Sequence, residues 1–231
     1  MKNKPSKLKM MIQLLLVLLI IPLSPMLISW HWNWWEAWVV AFIFIAGFVI
    51  SRMLARRKHP DILAERSDSF SRKDAKPWDR FLAPAMAFGG AILLVIAGLE
   101  ERFGWSPIAF NLSVKIAAII LLILAYLFSS WALIENAFFS GIVRVQKDRG
   151  HSVCDSGPYR FLRHPGYAGT LLSYLCMPLI LDSAWAFIAT GLLFIVTIAR
   201  TALEDQTLKN ELPGYRAYAE RVKHRLFPGL W

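Results

Sequence analysis

The amino-acid sequence predicts an all-α integral membrane protein, and three observations lead to that prediction. The chain of 231 residues is 56% hydrophobic and has a mean hydropathy of +0.45, which is too apolar for an ordinary soluble domain of this size. Several apolar runs reach the roughly 20 residues that a helix needs to cross a bilayer, and they contain almost no charge. The runs do not alternate polar and apolar residues, so helices are predicted rather than the strands of a barrel.

We expect about six transmembrane helices. The first four cover approximately residues 8–30, 35–51, 81–99 and 112–134. A signal peptide is the alternative for the first run, but this run is long, contains Pro22 and Pro25, and lacks a clear small-x-small cleavage site. Tryptophan prefers the headgroup region, so a group of tryptophans after the first run indicates a membrane boundary. The group consists of Trp30, Trp32, Trp34, Trp35 and Trp38.

The last two membrane helices are predicted to form a short tilted hairpin. Apolar sequence covers residues 167–199 and is interrupted only at 181–183. Each half has about 15 residues and would measure about 22 Å, which is less than a full crossing. A cytoplasmic amphipathic tail follows, in which Pro213 and Gly214 are expected to separate two short helices.

The distribution of charge predicts the orientation and argues against a nucleic-acid partner. The net charge is +10, but 24 of the 26 lysines and arginines lie on one side of the membrane if the N-terminus is cytoplasmic; Arg102 and Lys115 are the exceptions. This distribution follows the positive-inside rule and accounts for the basic composition without DNA or RNA. We therefore expect a multi-pass protein of the cell (inner) membrane, in contact with membrane lipids, with both termini in the cytoplasm.

Two regions are predicted from the positions of the polar segments. Residues 1–135 form an N-terminal membrane region with a basic loop at 52–80, interpreted as a linker facing the headgroups in preference to a catalytic element. Residues 136–231 contain the segments in which chemistry is expected. The two cysteines, Cys154 and Cys176, provide neither a disulfide framework nor a metal site.

The densest group of chemically versatile residues lies in a central island at residues 146–170, QKDRGHSVCDSGPYRFLRHPGYAGT. Its prolines restrict the backbone, and its glycines allow close backbone approach. Cationic, imidazole and aromatic side chains suit a ligand with a carboxylate, an aromatic base and a positive centre. The alternative is a basic loop that binds anionic lipid, which needs no such prolines, glycines or histidine. The side chains concerned are Tyr159, Arg160, Arg163, His164 and Tyr167.

A second candidate element lies at the end of the last apolar run. Arg200 and Glu204 are four residues apart and therefore share one helix face. Ionisable residues at a membrane helix end often anchor the surface, but an Arg and a Glu that face the interior of a bundle are candidates for a site.

The central island and the segment that contains Arg200 and Glu204 both match recognisable sequence motifs. The chain has G-P-Y-x-x-x-R-H-P-x-Y-x-G at 157–169 and R-x-x-x-E-[ED]-x-x-L at 200–208, followed by G-Y-x-x-Y at 214–218 and R-L-x-P at 225–228. In these motifs the region from about residue 136 onward resembles the isoprenylcysteine carboxyl methyltransferase family, whose nearer functional relatives are phospholipid N-methyltransferases.

The resemblance implies an integral membrane methyltransferase that uses S-adenosylmethionine and acts on a lipophilic small-molecule or prenylated acceptor, most often at a carboxylate. By motif, Arg200 would face the methyl acceptor, and Glu204 would bind the cofactor or hold Arg200. Arg163 would bind the cofactor carboxylate or stabilise the loop. The other implied cofactor contacts are Gln146, His151, Ser152, Val153, Cys154, Tyr159, His164, Pro165, Gly166 and Tyr167.

The chain departs from the family pattern at two places, and other functions stay open. Residues 151–154 read HSVC where methyl-esterifying members tend to have H-x-L-V, and Asp205 replaces a second Glu, so Asp205 has no predicted contact. The alternatives are a phospholipid or amine N-methyltransferase, an NADPH-dependent reductase of sterol-like lipids, and a non-catalytic scaffold. An amine acceptor would have to lose a proton, for which His164 and Glu204 are the candidate bases.

Overall fold

The computed structural model describes residues 15–67, 69 and 74–231, and every regular element in this part of the chain is a helix. The all-α prediction is therefore confirmed. A π-helical turn at Leu16–Ile20 leads into the first α-helix, and two 3-10 turns, Lys147–Arg149 and Gly157–Arg160, lie in the long segment between α5 and α6. The α-helices in order are α1 Ile21–Ser29, α2 Trp35–Lys58, α3 Ile62–Ser67, α4 Asp79–Phe103, α5 Leu112–Glu135, α6 Pro165–Ile180, α7 Ala184–Glu211 and α8 Tyr215–Arg221.

Four of these helices, α2, α4, α5 and α7, are long and apolar enough to cross a membrane. The prediction of about six spans is thus confirmed only in part. The first apolar run begins at residues that lie outside the described part of the chain, and its described portion, Leu16–Ser29, is shorter than a full span. The basic residues before residue 15 also lie outside the described part.

The predicted hairpin is correct in its first half and wrong in its second. Helix α6 has 16 residues and ends at a turn in which Asp182 has a φ of 53°. Helix α7 has 28 residues and extends for about 42 Å, well beyond the end of the apolar sequence. Residues 192–211 contain neither Gly nor Pro, so nothing interrupts the helix there. The first predicted tail helix is therefore the last part of α7, and only α8, after Gly214, is separate.

The basic loop predicted at 52–80 is also shorter than expected. Helix α2 continues to Lys58, α3 covers Ile62–Ser67, and α4 begins at Asp79. The division into regions 1–135 and 136–231 stays a prediction.

The helices alternate in direction, so their ends gather at two faces of the bundle. At one face Lys58 of α2 donates to Glu135 of α5, with Nζ 2.7 Å from Oε2. At the other face Lys115 of α5 donates to Glu36 of α2, with Nζ 2.6 Å from Oε1. We call these faces the basic end and the tryptophan end.

Small residues allow the helices to pack closely in the interior. A Cβ atom at Gly169 of α6 would lie only 2.7 Å from the carbonyl oxygen of Ala125 in α5. Packing of this kind replaces the hydrophobic effect between helices in lipid. Large apolar side chains such as Phe42 and Ile195 instead face outward, with 73% and 66% of their surface exposed, as expected for a lipid-covered surface. The alanines of the core at the tryptophan end are Ala37, Ala41, Ala97 and Ala118.

Candidate active site

A cleft of about 770 Å³, including its open mouth, lies at the basic end. Its walls come from the segment between α5 and α6, the first turn of α6, the last part of α7, and α8. Side chains from both sequence motifs therefore meet in one place. The predicted site residues that line the cleft are His151, Ser152, Val153, Cys154, Tyr159, Arg163, His164, Gly166, Tyr167 and Glu204.

Three predicted site residues, Gln146, Pro165 and Arg200, do not line the cleft. Gln146 is only 1% exposed, and its Nε2 donates to the carbonyl oxygen of Phe138 at 2.7 Å. Its backbone N–H donates to Nδ1 of His151 at 3.2 Å, which makes that ring nitrogen an acceptor. Gln146 thus orients His151 instead of facing the cleft.

His151 is held as a neutral ring in the wall of the cleft. The ring stacks on Phe138 with a centroid distance of 4.5 Å. Burial, followed by the charges of Arg144 and Arg149, lowers the pKa of His151 to about 4. At neutral pH the cleft therefore contains an uncharged aromatic surface at this position.

A chain of hydrogen bonds connects the buried Asp79 to the cleft. Nε of Arg200 donates to Oδ1 of Asp79 at 2.6 Å, and Nη2 donates to Oδ2 at 3.1 Å. Nη1 of Arg200 donates to the Tyr167 hydroxyl at 2.7 Å, and this hydroxyl donates to Oε2 of Glu204 at 2.6 Å. The carboxylate of Glu204 is the last group in this series of hydrogen bonds, and it lines the cleft.

Arg200 has no spare donor in this arrangement. Besides Asp79 and Tyr167, its guanidinium donates to the carbonyl oxygen of Gly141 at 3.0 Å and contacts the sulfur of Met86 at 3.7 Å. These contacts use all five N–H groups of the side chain, which is 4% exposed. The predicted contact between Arg200 and the methyl acceptor stays a prediction, and it would require Asp79 to move away.

Asp79 is a residue that sequence reasoning missed, because it lies in the segment interpreted as a linker. It is the first residue of α4 and is 0% exposed. Its Oδ2 also accepts the backbone N–H of Val143 at 2.5 Å, so it holds the loop after α5 as well as Arg200. An acid beside Trp78 at the start of an apolar run was the available signal, since a buried acid there needs a cation.

Asp205 is also missing from the predicted site, yet it is 1% exposed and surrounded by cations. Nε of Arg163 lies 3.0 Å from its Oδ1, and Nε of Arg225 lies 3.1 Å from its Oδ2. Lys209 Nζ lies 3.0 Å away, and the Tyr215 hydroxyl donates to Oδ1 at 3.1 Å. Asp205 therefore ties α7 to the central island and to the C-terminal segment.

The segment that begins at Tyr215 forms hydrogen bonds with the central island. The backbone N–H groups of Arg163 and His164 donate to the carbonyl oxygens of His224 and Arg225, both at 3.0 Å. The Tyr218 hydroxyl donates to the carbonyl oxygen of Tyr159 at 2.8 Å. Tyr215 and Tyr218 also line the cleft.

Comparison with known proteins agrees with the motifs. Residues 114–212, from α5 to the end of α7, match the model of the family described as phospholipid methyltransferase. No curated protein matched the chain. The matched part contains Tyr167, Arg200 and Glu204 but not Asp79. The resemblance predicted from the motifs is confirmed over this stretch: residues 114–212 match the model of a family of integral membrane methyltransferases that includes isoprenylcysteine carboxyl methyltransferases.

Proposed function

We propose that the protein transfers a methyl group from S-adenosylmethionine to a lipid-like acceptor at the basic end of the bundle. The observation that supports this proposal most directly is the cleft itself, in which aromatic rings, loop backbone and the carboxylate of Glu204 converge. Following the positive-inside rule, we propose that this end faces the cytoplasm and that the protein resides in the cell (inner) membrane.

The cleft fits the proposed cofactor in chemistry. His151 and Tyr159 offer aromatic surface for an adenine ring, and the backbone of residues 151–154 offers donors and acceptors. The carboxylate of Glu204 complements a positively charged amino group or sulfonium. These residues would hold the cofactor, and Gln146 and Pro165 would support the loop that carries them.

When bound, the cofactor supplies an electrophilic methyl group on its sulfonium. The chain contributes alignment of the acceptor and exclusion of water. Glu204 also offers a place for a proton: Tyr167 donates to its Oε2, and no described residue donates to its Oε1. A protonated amine must lose a proton before it can accept a methyl group, and Glu204 is positioned to take that proton.

This geometry favours an amine-bearing lipid over a carboxylate as the acceptor. A carboxylate held by Arg200 would have to displace Asp79, which would then be buried without its cation. Deprotonation by Glu204 requires no such rearrangement. Carboxyl methylation, which the motif resemblance favours, is the second candidate, and it depends on release of Asp79 from Arg200.

Calorimetric titration of the detergent-purified protein tests the cofactor. We expect S-adenosylmethionine and S-adenosylhomocysteine to bind with dissociation constants of about 1–100 μM and NADPH not to bind. Glu204→Gln should weaken the binding of S-adenosylmethionine about tenfold or more, whereas Glu220→Gln, an exposed acid on α8, should not change it. Binding of NADPH alone would instead indicate a reductase, and binding of none of the three would indicate a scaffold.

Transfer of labelled methyl groups tests the acceptor. Vesicles that contain phosphatidylethanolamine supply a lipid amine, and a prenylated cysteine supplies a lipid carboxylate. We expect incorporation into the lipid amine. Incorporation into the prenylated cysteine alone would show that Arg200 releases Asp79 during the reaction.

A further inference from the structure

Two partly buried arginines at the basic end differ from the fully buried ones. Arg144, Arg163 and Arg200 lie 2.9, 3.0 and 2.6 Å from a carboxylate oxygen. Such pairing is expected, because an uncompensated charge away from water is costly. Within the described part of the chain, Arg52 and Arg66 have no carboxylate at ion-pair distance.

Arg66, on α3, points its guanidinium into the protein. Its Nη1 is inaccessible to solvent and has no hydrogen-bond partner. The guanidinium carbon lies 5.2 Å from the ring centroid of Phe139, a contact that offsets only part of the charge. Burial, and after it the charge of Arg200, lowers the pKa of Arg66. Within residues 15–67, 69 and 74–231, this cation has no carboxylate at ion-pair distance.

Arg52 lies where the apolar part of α2 ends, directly after residues 35–51. It precedes Lys58, the last residue of the helix, by six positions, which is about 9 Å along the axis towards the membrane interior. Its guanidinium carbon lies 4.0 Å from the Phe48 ring centroid, and its Nη1 donates to the neutral hydroxyl of Ser51, at 2.9 Å. An ionisable side chain inside a membrane helix is by default a candidate for function.

The two arginines lie one helical turn from the same buried cluster. Ala55, three residues after Arg52, and Ile62, four residues before Arg66, pack in this cluster together with Phe139. Phe139, against which Arg66 packs, also lines the cleft. The ring of Phe139 thus lies between Arg66 and the cleft.

We propose that Arg52 and Arg66 bind the anionic group, phosphate or carboxylate, of a membrane lipid. Guanidinium groups recognise both kinds of anion. The position of Arg52 at the end of the apolar run, and the exposure of Ile50 and Met53 beside it (57% and 54%), indicate a ligand whose apolar chains lie along α2. That this lipid is the methyl acceptor rests on the proposed function; the anion site itself does not.

The unfolding temperature of the detergent-solubilised full chain tests the site. Dioctanoyl phosphatidate is the lipid anion, and dioctanoylglycerol and inorganic phosphate supply its two parts separately. We expect saturating phosphatidate to raise the unfolding temperature by about 5 °C and the two separate parts not to raise it. Arg66→Gln and Arg52→Gln should lose this rise, whereas Arg57→Gln, exposed at the end of the same helix as Arg52, should keep it. An equal rise in Arg66→Gln, or with inorganic phosphate, would overturn the proposal.

The unliganded variants distinguish binding from a structural role. Arg66→Gln removes a partly buried cation that has no carboxylate partner among the described residues, so its unfolding temperature without lipid should equal or exceed that of the wild type. A lower unfolding temperature, combined with an unchanged response to phosphatidate, would identify Arg66 as a structural residue and overturn the proposal.

Titration of S-adenosylmethionine into the same samples separates this proposal from the proposed function. Binding of the cofactor without a response to phosphatidate would overturn the lipid site and leave the methyltransferase proposal intact. A response to phosphatidate without cofactor binding would support the lipid site and overturn the methyltransferase proposal.

Discussion

Buried charges gather at both ends of the helical bundle, but they are organised differently. At the tryptophan end, Nζ of Lys115 lies 2.6 Å from Oε1 of Glu36 and 2.5 Å from Oδ2 of Asp182, and Asp182 also accepts the backbone N–H of Phe110 at 2.8 Å. These charges are paired with one another and join α2, α5 and the turn after α6. At the basic end, hydrogen bonds through Arg200 and Tyr167 connect Asp79 to Glu204, whose carboxylate lines the cleft.

The difference shows that a buried charge by itself does not identify an active site in this protein. A closed cluster such as that of Lys115 can serve to join helices, because each charge has its partner inside the cluster. The basic end differs in two respects: a carboxylate reaches a cleft, and two arginines have no carboxylate among the described residues. Mutations at the tryptophan end should therefore lower stability without changing ligand binding, whereas mutations at the basic end should include some that change ligand binding.

We expect the largest effect from Asp205→Asn, at the basic end. The change leaves Arg163 buried without its anion, and breaking such a pair costs about 3–5 kcal/mol. The unfolding temperature in detergent should fall by about 10 °C. Asp155→Asn is the matched control, because Asp155 pairs with Arg221 on the surface, where an ion pair contributes at most about 1 kcal/mol. Similar unfolding temperatures for the two variants would contradict the central position of Asp205.

Lys115→Met tests the closed cluster at the tryptophan end. Glu36 and Asp182 lose their cation, and we expect a loss of about 3 kcal/mol in the free energy of unfolding. The affinity of the folded protein for S-adenosylmethionine should not change, because the cleft lies at the other end. Arg102→Gln, an exposed change at the same end, should have a smaller effect on stability. A large change in cofactor affinity in Lys115→Met would show that the two ends are coupled.

Asp79→Asn should separate turnover from cofactor binding at the basic end. Arg200 loses its ionic partner, so the Tyr167 hydroxyl and Glu204 lose their fixed positions, and we expect methyl transfer to slow by about 100-fold. The dissociation constant of S-adenosylmethionine should rise by less than the roughly tenfold expected for Glu204→Gln, because the Glu204 carboxylate is kept and Asp79 does not line the cleft. Asp74→Asn, which changes a half-exposed acid of the same segment, serves as the control. Equal losses in turnover and in affinity would instead indicate a general structural role for Asp79.

We expect the smallest effect from the titration of His151. Its pKa is lowered to about 4 in the folded protein, whereas the unfolded chain has the ordinary value near 6.5. Between these pH values the unfolded state binds more protons, so this residue makes stability rise from pH 4 to pH 6.5 and has no effect above that. His151→Phe keeps a ring against Phe138 and removes the titration. The difference in unfolding temperature between wild type and variant should change over this range; a constant difference would show that the pKa is not lowered.

Local patterns in the sequence predict much of the fold because each membrane helix satisfies its own backbone hydrogen bonds. Apolar runs predict α4 and α5 almost completely, and α2 as far as Ser51. They predict the end of α7 wrongly, because hydropathy indicates where the membrane ends, whereas the helix ends only near Pro213 and Gly214. The shortened loop at 52–80 has the same cause, since α2 continues through a charged stretch to Lys58.

The candidate site is predictable only where its residues are neighbours in sequence or occur in a family motif. Glu204 and Tyr167 belong to motifs, and both line the cleft. The ion pair between Asp79 and Arg200 joins residues that are 121 positions apart, and no local pattern specifies it. Asp205 is adjacent to Glu204 but lies about 100° away around the helix axis, so its partners are different and depend on tertiary structure.

The separation between Asp79 and Arg200 also has a consequence for biosynthesis. At the usual rate of about 5–20 residues per second, Asp79 leaves the ribosome about 6 to 24 s before Arg200. During this interval α4 has an acid at its first position and no Arg200 to pair with it, so the ion pair that joins α4 to α7 forms only after α7 is made. A chain that stops before residue 200 should therefore be digested by an added protease faster than the full chain.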